Sequence, residues 1–252
     1  MSSLTGKVAV VTASSRGIGR SLAKPLETRI ALRLGRDGAA VAVNYVASPE
    51  KAEAVVKEII ASGGRAIAIQ GSVANQADVT RLFDETEKQL GSIDIVINVA
   101  GVAFDRLHTD LTDEDLDTVF SVNVRGVMYM LQAAAHRVKN GGRIVQFSTG
   151  ATKHPRITGV LYAASKTAGE QFAFSLAKEI GHRQVRINVV LPEVTDPDEL
   201  ILPQSEIDRL VSQTPLGRWG KPQDLADVGA FLVGDDAHWM TGQNLQVNGG
   251  IL

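Results

Sequence analysis

The sequence predicts an α/β fold, an open, doubly wound parallel sheet of about seven strands with helices on both faces. Two observations carry this. Short runs that are apolar on both faces, such as residues 7–12 and 93–98, recur along the chain, as strands buried in a parallel sheet require. Longer segments with helical spacing separate them, so strand and helix alternate throughout. At 252 residues and 44% hydrophobic content the chain can bury one full core, and residues 1–252 read as a single domain.

Strand one, residues 7–12, leads into Thr12-Ala13-Ser14-Ser15-Arg16-Gly17-Ile18-Gly19, a glycine-containing turn that should open a helix. Such a turn lets backbone N–H groups and the helix N-terminus approach a pyrophosphate. A helix through residues 30–34 should stop near Gly35-Arg36-Asp37-Gly38. Pro25, within extra sequence at 21–28, predicts a kink or short break, since an interior proline costs about 3 kcal/mol. Strand two, 39–44, is followed by Tyr45-Val46-Ala47-Ser48, with no carboxylate to accept a ribose 2′-OH. Ser48 and Pro49 then mark the start of a helix that runs to about Ala61 and ends at Gly63-Gly64.

Strand three, 66–70, precedes a helix at 76–90, and strand four runs into Val99-Ala100-Gly101. A helix opens at Thr112-Asp113-Glu114-Asp115, and a long one over 121–139 carries Asn123. Strand five, 143–147, ends at Ser148-Thr149, and strand six covers 185–191. The less regular stretch 192–215 follows a strand's carboxyl end, where ligands bind in such sheets, and reads as a substrate lid. A helix at 222–233 and a strand at 245–247 close the pattern.

Composition narrows the function. A net charge of −2 without runs of like charge weighs against a nucleic-acid or anionic-membrane surface. The absence of cysteine excludes disulfides, thiolate chemistry and cysteine metal sites, and five scattered histidines suggest no metal. No apolar run approaches the roughly 20 residues of a membrane span, and no basic-then-apolar leader is present, so a cytoplasmic protein is expected.

Tyr162-Ala163-Ala164-Ser165-Lys166 carries the chemistry. Ala168, Phe172, Leu176 and Ile180 follow at helical intervals, so Tyr162 and Lys166 should share one face near the start of a buried helix. A cation beside the phenol would stabilise phenolate and lower its pKa from about 10 toward the range of a working proton donor.

With these pieces in order, the chain resembles the short-chain dehydrogenase/reductase family over nearly its whole length. The matching motifs are TASSRGIG at 12–19, NVAG at 98–101, SVNVRG at 121–126 and FSTG at 147–150. They continue with YAASK at 162–166, GRWGKPQDLADV at 217–228 and TGQNLQVNGG at 241–250. The resemblance implies a Rossmann-like sheet and hydride transfer between a nicotinamide and a carbonyl or secondary alcohol of a small molecule. Tyr162 would be the general acid in reduction and the general base in oxidation. Lys166 would lower its pKa and hold the nicotinamide ribose, and Asn123 would hold a water that relays the proton. Thr149 or Ser148 would hydrogen-bond the substrate oxygen. Counting 13 residues back from Tyr162 lands on Thr149, which is slightly favoured, and a one-residue loop difference would bring in Ser148.

The same resemblance implies a cofactor groove made by Thr12, Ser14, Ser15, Arg16, Gly17, Ile18 and Gly19. Asn44, Ser48, Ser72 and Val73 would continue it, then Asn98, Ala100 and Gly101, with Pro192 and Val194 beside Tyr162 and Lys166. Asn98 reads as a structural brace and Trp219 and Trp239 as packing residues. Without a carboxylate after strand two, and with Arg16 placed to reach a 2′-phosphate, NADP(H) is preferred over NAD(H). A ketone reductase is the expected activity. A homotetramer, or failing that a dimer, is expected through helices 113–139 and 160–181, with Met128, Met130 and Leu131 covering the surface. The alternative is a catalytically silent member serving as a binding or assembly subunit. Four departures from the family pattern stand out. Ala13 replaces the first glycine of the phosphate turn, and extra sequence follows it at 21–28. Ser72 stands where an Asp commonly meets the adenine, and Pro192-Glu193 stands where Pro-Gly is usual. A glutamate there needs room and a partner.

Overall fold

All seven predicted strands form and pair in one parallel sheet. The computed structural model describes residues 3–12, 26–154, 156–193 and 204–251. The strands are β1 (Val8–Thr12), β2 (Ala40–Tyr45), β3 (Arg65–Gln70), β4 (Ile95–Asn98), β5 (Arg143–Phe147), β6 (Arg186–Pro192) and β7 (Asn244–Val247). They lie in the order β3-β2-β1-β4-β5-β6-β7. The order reverses between β1 and β4, which opens a crevice at their carboxyl ends, the usual ligand position in doubly wound sheets. The central strands β1 and β4 are buried along their whole length, as their unbroken apolar runs require.

Helices α1 (Leu26–Arg36), α2 (Pro49–Ala61), α3 (Gln76–Leu90), α4 (Asp113–Phe120), α5 (Val127–Arg137), α6 (Val160–Ile180), α7 (Gln204–Gln213) and α8 (Pro222–Val233) cover both faces. On one face, α3, α5 and α6 bury Phe83, Met130 and Ala173 against Val10, Val96 and Ile187. On the other, Ile30 and Leu34 of α1, Val55 of α2 and Leu225 of α8 meet Val11, Ile97 and Phe147. At α4 the predicted start is a reciprocal cap: Thr112 Oγ1 accepts from Asp115 N at 3.3 Å, and Asp115 Oδ2 from Thr112 N at 2.9 Å. Among the described residues no helix is long and apolar enough to cross a membrane.

The structure corrects several expectations. The helix predicted over 121–139 begins with a π-helical segment, Ser121–Gly126, before α5. Residues 204–213 of the supposedly irregular lid form α7, whose Ile207, Leu210 and Val211 have helical spacing. The buried stripe of α6 is Gly169, Ala173, Ala177 and Ile180, one residue round from the predicted Ala168, Phe172 and Leu176. Small residues there let the helix approach the sheet, and the larger ones flank the contact. Met130 and Leu131 lie in the core, so of the three proposed surface residues only Met128 is not fully buried. Trp239 is 94% exposed and packs against little of its own chain. Ser48 stands at the α2 N-cap but makes no side-chain capping bond. The predicted turn residues Ser14, Ser15, Arg16, Gly17, Ile18 and Gly19, the Pro25 break and Val194 lie outside the described residues.

Candidate active site

Thr12, Asn98 and Gln146 sit side by side at the carboxyl ends of β1, β4 and β5, because strand register pairs Thr12 with Asn98 and Asn98 with Gln146. All three are buried polar residues joined in a row. Thr12 Oγ1 donates to Asn98 Oδ1 at 2.6 Å, and Asn98 Nδ2 donates to Gln146 Oε1 at 2.8 Å. Thr12 Oγ1 also accepts from the backbone N–H of Val99 and Ala100, which sets the chain leaving β4. Gln146 Nε2 donates to Phe147 O at 2.8 Å, and the same carbonyl accepts from Lys166 Nζ at 3.2 Å. Asn98 is thus the brace that was expected, and its row ends at the ammonium of α6.

Asn123 is fully buried and both N–H groups of its amide are committed. Oδ1 accepts from Val102 N at 2.8 Å, while Nδ2 donates to Val102 O at 2.9 Å and to Ser165 Oγ at 3.0 Å. Ser165 Oγ in turn donates to Tyr162 O at 2.7 Å. Asn123 therefore ties the π-helical segment to the β4 loop and to the turn carrying Tyr162. Both side-chain donors being spent, its side chain can hold the relay water assigned to it only through the second lone pair of Oδ1. A π segment widens the helix locally and lets Asn123 point inward without breaking the rod, a device found mostly at functional sites.

Tyr162 and Lys166 lie one turn apart near the start of α6. Lys166 is 5% exposed, and burial brings its ammonium down to about 8, against the charge of Glu170, which holds it up. The Lys166 ammonium lies over the Tyr162 ring, 5.9 Å from its centroid. The phenol is not lowered as predicted. Burial pushes it up, the nearby Thr149 hydroxyl and the Arg156 charge pull it down, and Asp105 and Glu193 push it further up.

Thr149 and Ser148 separate clearly. The Thr149 hydroxyl stands near enough to the phenol to hold its pKa down, whereas Ser148 turns away and donates to Glu170 Oε1 at 2.7 Å. Glu170, which the sequence reading passed over, is 4% exposed. Its Oε2 accepts from Lys153 Nζ at 3.0 Å and from Asn244 Nδ2 at 2.7 Å. The signal was present: Tyr162, Lys166 and Glu170 follow at intervals of four, placing a carboxylate on the face that carries the pair.

The remaining predicted groove residues divide. A β-carbon on Gly101 would lie 2.7 Å from Lys166 Nζ, so bare backbone here is what lets the ammonium reach the crevice. Ala100 is buried beside it. Ser48 carries a hydroxyl uncommitted to capping, at the end of β2, where no carboxylate stands. These features fit a dinucleotide bearing a 2′-phosphate. Asn44 fits less well, because its Nδ2 donates to Ile69 O and Gly71 O, leaving only a buried acceptor, which no phosphate oxygen can use. Ser72 has its N–H held by Asp78 and its hydroxyl accepting from Ala74 N. Val73 is buried under Gly126. Pro192 ends β6 in register with Val247. Glu193, half-buried, has its carboxyl pushed up by burial, with the charges of His154 and Arg156 opposing.

A family model described as "Enoyl-(Acyl carrier protein) reductase" matches residues 12–252. The chain is a member of the short-chain dehydrogenase/reductase family, a family of NAD(P)-dependent oxidoreductases. Among curated relatives, an uncharacterized oxidoreductase of Methylorubrum extorquens is 40% identical, with 100% of both chains covered. A 3-oxoacyl-[acyl-carrier-protein] reductase of Staphylococcus aureus is 37% identical, covering 97% of this chain and 98% of the relative. A short-chain dehydrogenase/reductase from Serratia marcescens superposes with TM-score 0.89 at 33% identity, covering 98% of each chain. A short-chain dehydrogenase from Burkholderia cenocepacia in complex with NADP gives 0.89 at 38%, with 98% of each chain covered. The angucycline C-6 ketoreductase LanV with bound NADP gives 0.89 at 32% identity, covering 100% of this chain and 97% of that one.

Proposed function

We propose that this oxidoreductase reduces the ketone of a small organic molecule with NADP(H). One observation carries the reading: the buried Lys166 ammonium lies over the Tyr162 ring from one turn further along the helix, with the Thr149 hydroxyl near the phenol. When bound, the nicotinamide would supply the hydride. Thr149 would donate to the carbonyl oxygen and hold it against the phenol, and Tyr162 would deliver the proton as the oxygen gains charge. A phenol kept protonated by burial suits a donor, so reduction is the direction favoured near neutral pH. Lys166, part-titrated near neutrality, would replace that proton and steady the phenolate. Asn123 would act by holding the Tyr162 turn and the Val102 loop.

NADP complexes of similar proteins and the carboxylate-free end of β2 support the 2′-phosphate preference, with Ser48 and Arg16 as its contacts. NADH binding stays open to the same groove. A soluble, cytoplasmic homotetramer without nucleic-acid or membrane partners is part of the same proposal. A panel of ketones assayed with NADPH and with NADH tests it, with Tyr162→Phe as the control. Consumption of NADPH that depends on both ketone and Tyr162 supports the reading. Cofactor binding without turnover on any carbonyl would instead favour the silent subunit.

A further inference from the structure

We infer that Glu170 is a positioning residue for this reaction: it presents its charge to Lys166 from behind and clamps the strand end, the active-site loop and β7 to the catalytic helix. This rests on the reductase reading for its consequence in turnover, but its electrostatic part concerns the chain alone.

Buried carboxylates are rare unless paired and hydrogen-bonded, and Glu170 is both. Its partners come from three separate places. Ser148 lies just past β5, Lys153 follows the short helical turn after Thr149, and Asn244 begins β7. Glu170 sits on α6, four residues beyond Lys166 and eight beyond Tyr162. One side chain thus fixes the register of the Thr149 loop against the helix that carries the phenol. Ser148 is drawn to it, which leaves Thr149, the next residue, on the side facing Tyr162.

The second effect is electrostatic. Lys166 faces the Tyr162 ring, the Phe147 carbonyl and Glu170, and Glu170 supplies the negative charge that supports the ammonium against burial. Lys153 faces Glu170 from the other side at 3.0 Å and partly neutralises it, with Ser148 and Asn244 its neutral neighbours. Lys153 thus holds the carboxylate in an ion pair, and Lys166, one turn back on α6, feels the charge that remains. Removing Glu170 should make Lys166 easier to deprotonate, and removing Lys153 should make it harder.

The test titrates Lys166 directly, by heteronuclear NMR on enzyme carrying 13C-labelled lysine. Its signal is assigned as the one lost in Lys166→Met. Glu170→Gln keeps shape and most hydrogen bonds but removes the charge, and Lys153→Met removes the paired cation. In Glu170→Gln the midpoint should fall by about one pH unit, the low end for an opposite charge nearby. In Lys153→Met it should rise. In turnover, the alkaline limb of kcat/KM for reduction should move in the same directions, and Glu170→Asp, which keeps the charge but shortens the reach, should hold the limb near its wild-type pH. An unchanged midpoint in folded Glu170→Gln would overturn the inference and leave Glu170 a packing residue. If Glu170→Gln does not fold, the Lys153→Met midpoint decides: a rise supports the inference and no change overturns it. Midpoint shifts in a chain that turns over no carbonyl would refute the reductase reading while sustaining the role of Glu170.

Discussion

The carboxylate of Glu193 occupies the space that a side chain at Gly150 would need. A β-carbon on Gly150 would stand 1.4 Å from Glu193 Oε2 and 3.3 Å from its Cβ. The glycine of the family's usual Pro-Gly is thus replaced by Glu193, lodged over bare backbone next to the loop that carries Thr149. His154 and Arg156 supply the neighbouring positive charge. Room and partner, the two requirements set by the sequence, both come from the Thr149 loop.

This contact makes Gly150 and Glu193 a coupled pair. Gly150→Ala should cost about 1–3 kcal/mol, the usual range for overpacking. In a Glu193→Ala background the same substitution should cost little, and the two effects should not add. Urea denaturation of the two single variants and the double variant measures the coupling. Additive losses would show that Glu193 swings aside without consequence.

Glu193 should also make stability depend on pH. Its carboxyl is raised in the folded chain, so the fold binds this proton more tightly than the unfolded chain does. The contribution is fully present below the unfolded carboxylate pKa of about 4.3 and is lost as pH rises through the folded value. Glu193→Gln, which cannot ionise, should therefore gain Tm relative to wild type more at pH 8 than at pH 4. Thermal melts at the two pH values check this. Removing the charge also removes a push on Tyr162, so the pH limb assigned to the phenol should shift to lower pH.

Tyr162→Phe keeps the ring under Lys166 and deletes only the transferable proton. Fold and cofactor affinity should survive, and kcat should fall about 10²–10⁴-fold, the loss typical of general acid catalysis. Steady-state kinetics beside fluorescence titration of NADPH separates the two quantities. Near wild-type kcat would remove the phenol from the mechanism.

Thr149→Val and Ser148→Ala should fail differently. The valine variant should lose kcat/KM with little change in Tm, since the hydroxyl faces the phenol and the substrate side. Ser148→Ala removes a donor from buried Glu170, so it should cost about 1–3 kcal/mol of stability and less of the chemistry. Kinetics and chemical denaturation on both variants give the comparison, and the reverse pattern would exchange their roles.

Arg16→Ala tests the cofactor preference. NADPH binding should weaken by about 1.5–3 kcal/mol, the range for hydrogen bonds to charged groups, with NADH nearly unaffected. Dissociation constants for both cofactors decide it, because equal losses would mean that Arg16 only supports its turn.

The sheet was legible because a central parallel strand must be apolar on both sides, and Val8–Thr12 and Ile95–Asn98 announce themselves that way. Helix faces were harder. On α6 the contact residues are Gly169, Ala173 and Ala177, small side chains that carry little hydrophobic signal yet allow the closest approach. Tyr162, Lys166 and Asn123 could be found from motif and spacing. The direction of each side chain could not, since it depends on partners distant in sequence, such as Ser165 for Asn123 and Glu170 for Ser148. The tyrosine shift was misjudged for a related reason: spacing places a cation beside the phenol, but burial depth is a property of the packed chain.

The π-helical segment Ser121–Gly126 has a consequence for how this enzyme can be altered. Relative to a plain α-helix it accommodates an extra residue, a frameshift in the hydrogen-bond ladder. Excising one residue there would restore the ordinary ladder and close the widened turn, with α4 and α5 keeping nearly the faces they now present. Asn123 would leave Val102 and Ser165 together, although every side chain of the site would still be encoded. Single substitutions leave the number of residues in the segment unchanged, so scanning mutagenesis would not test this dependence, whereas a one-residue deletion would.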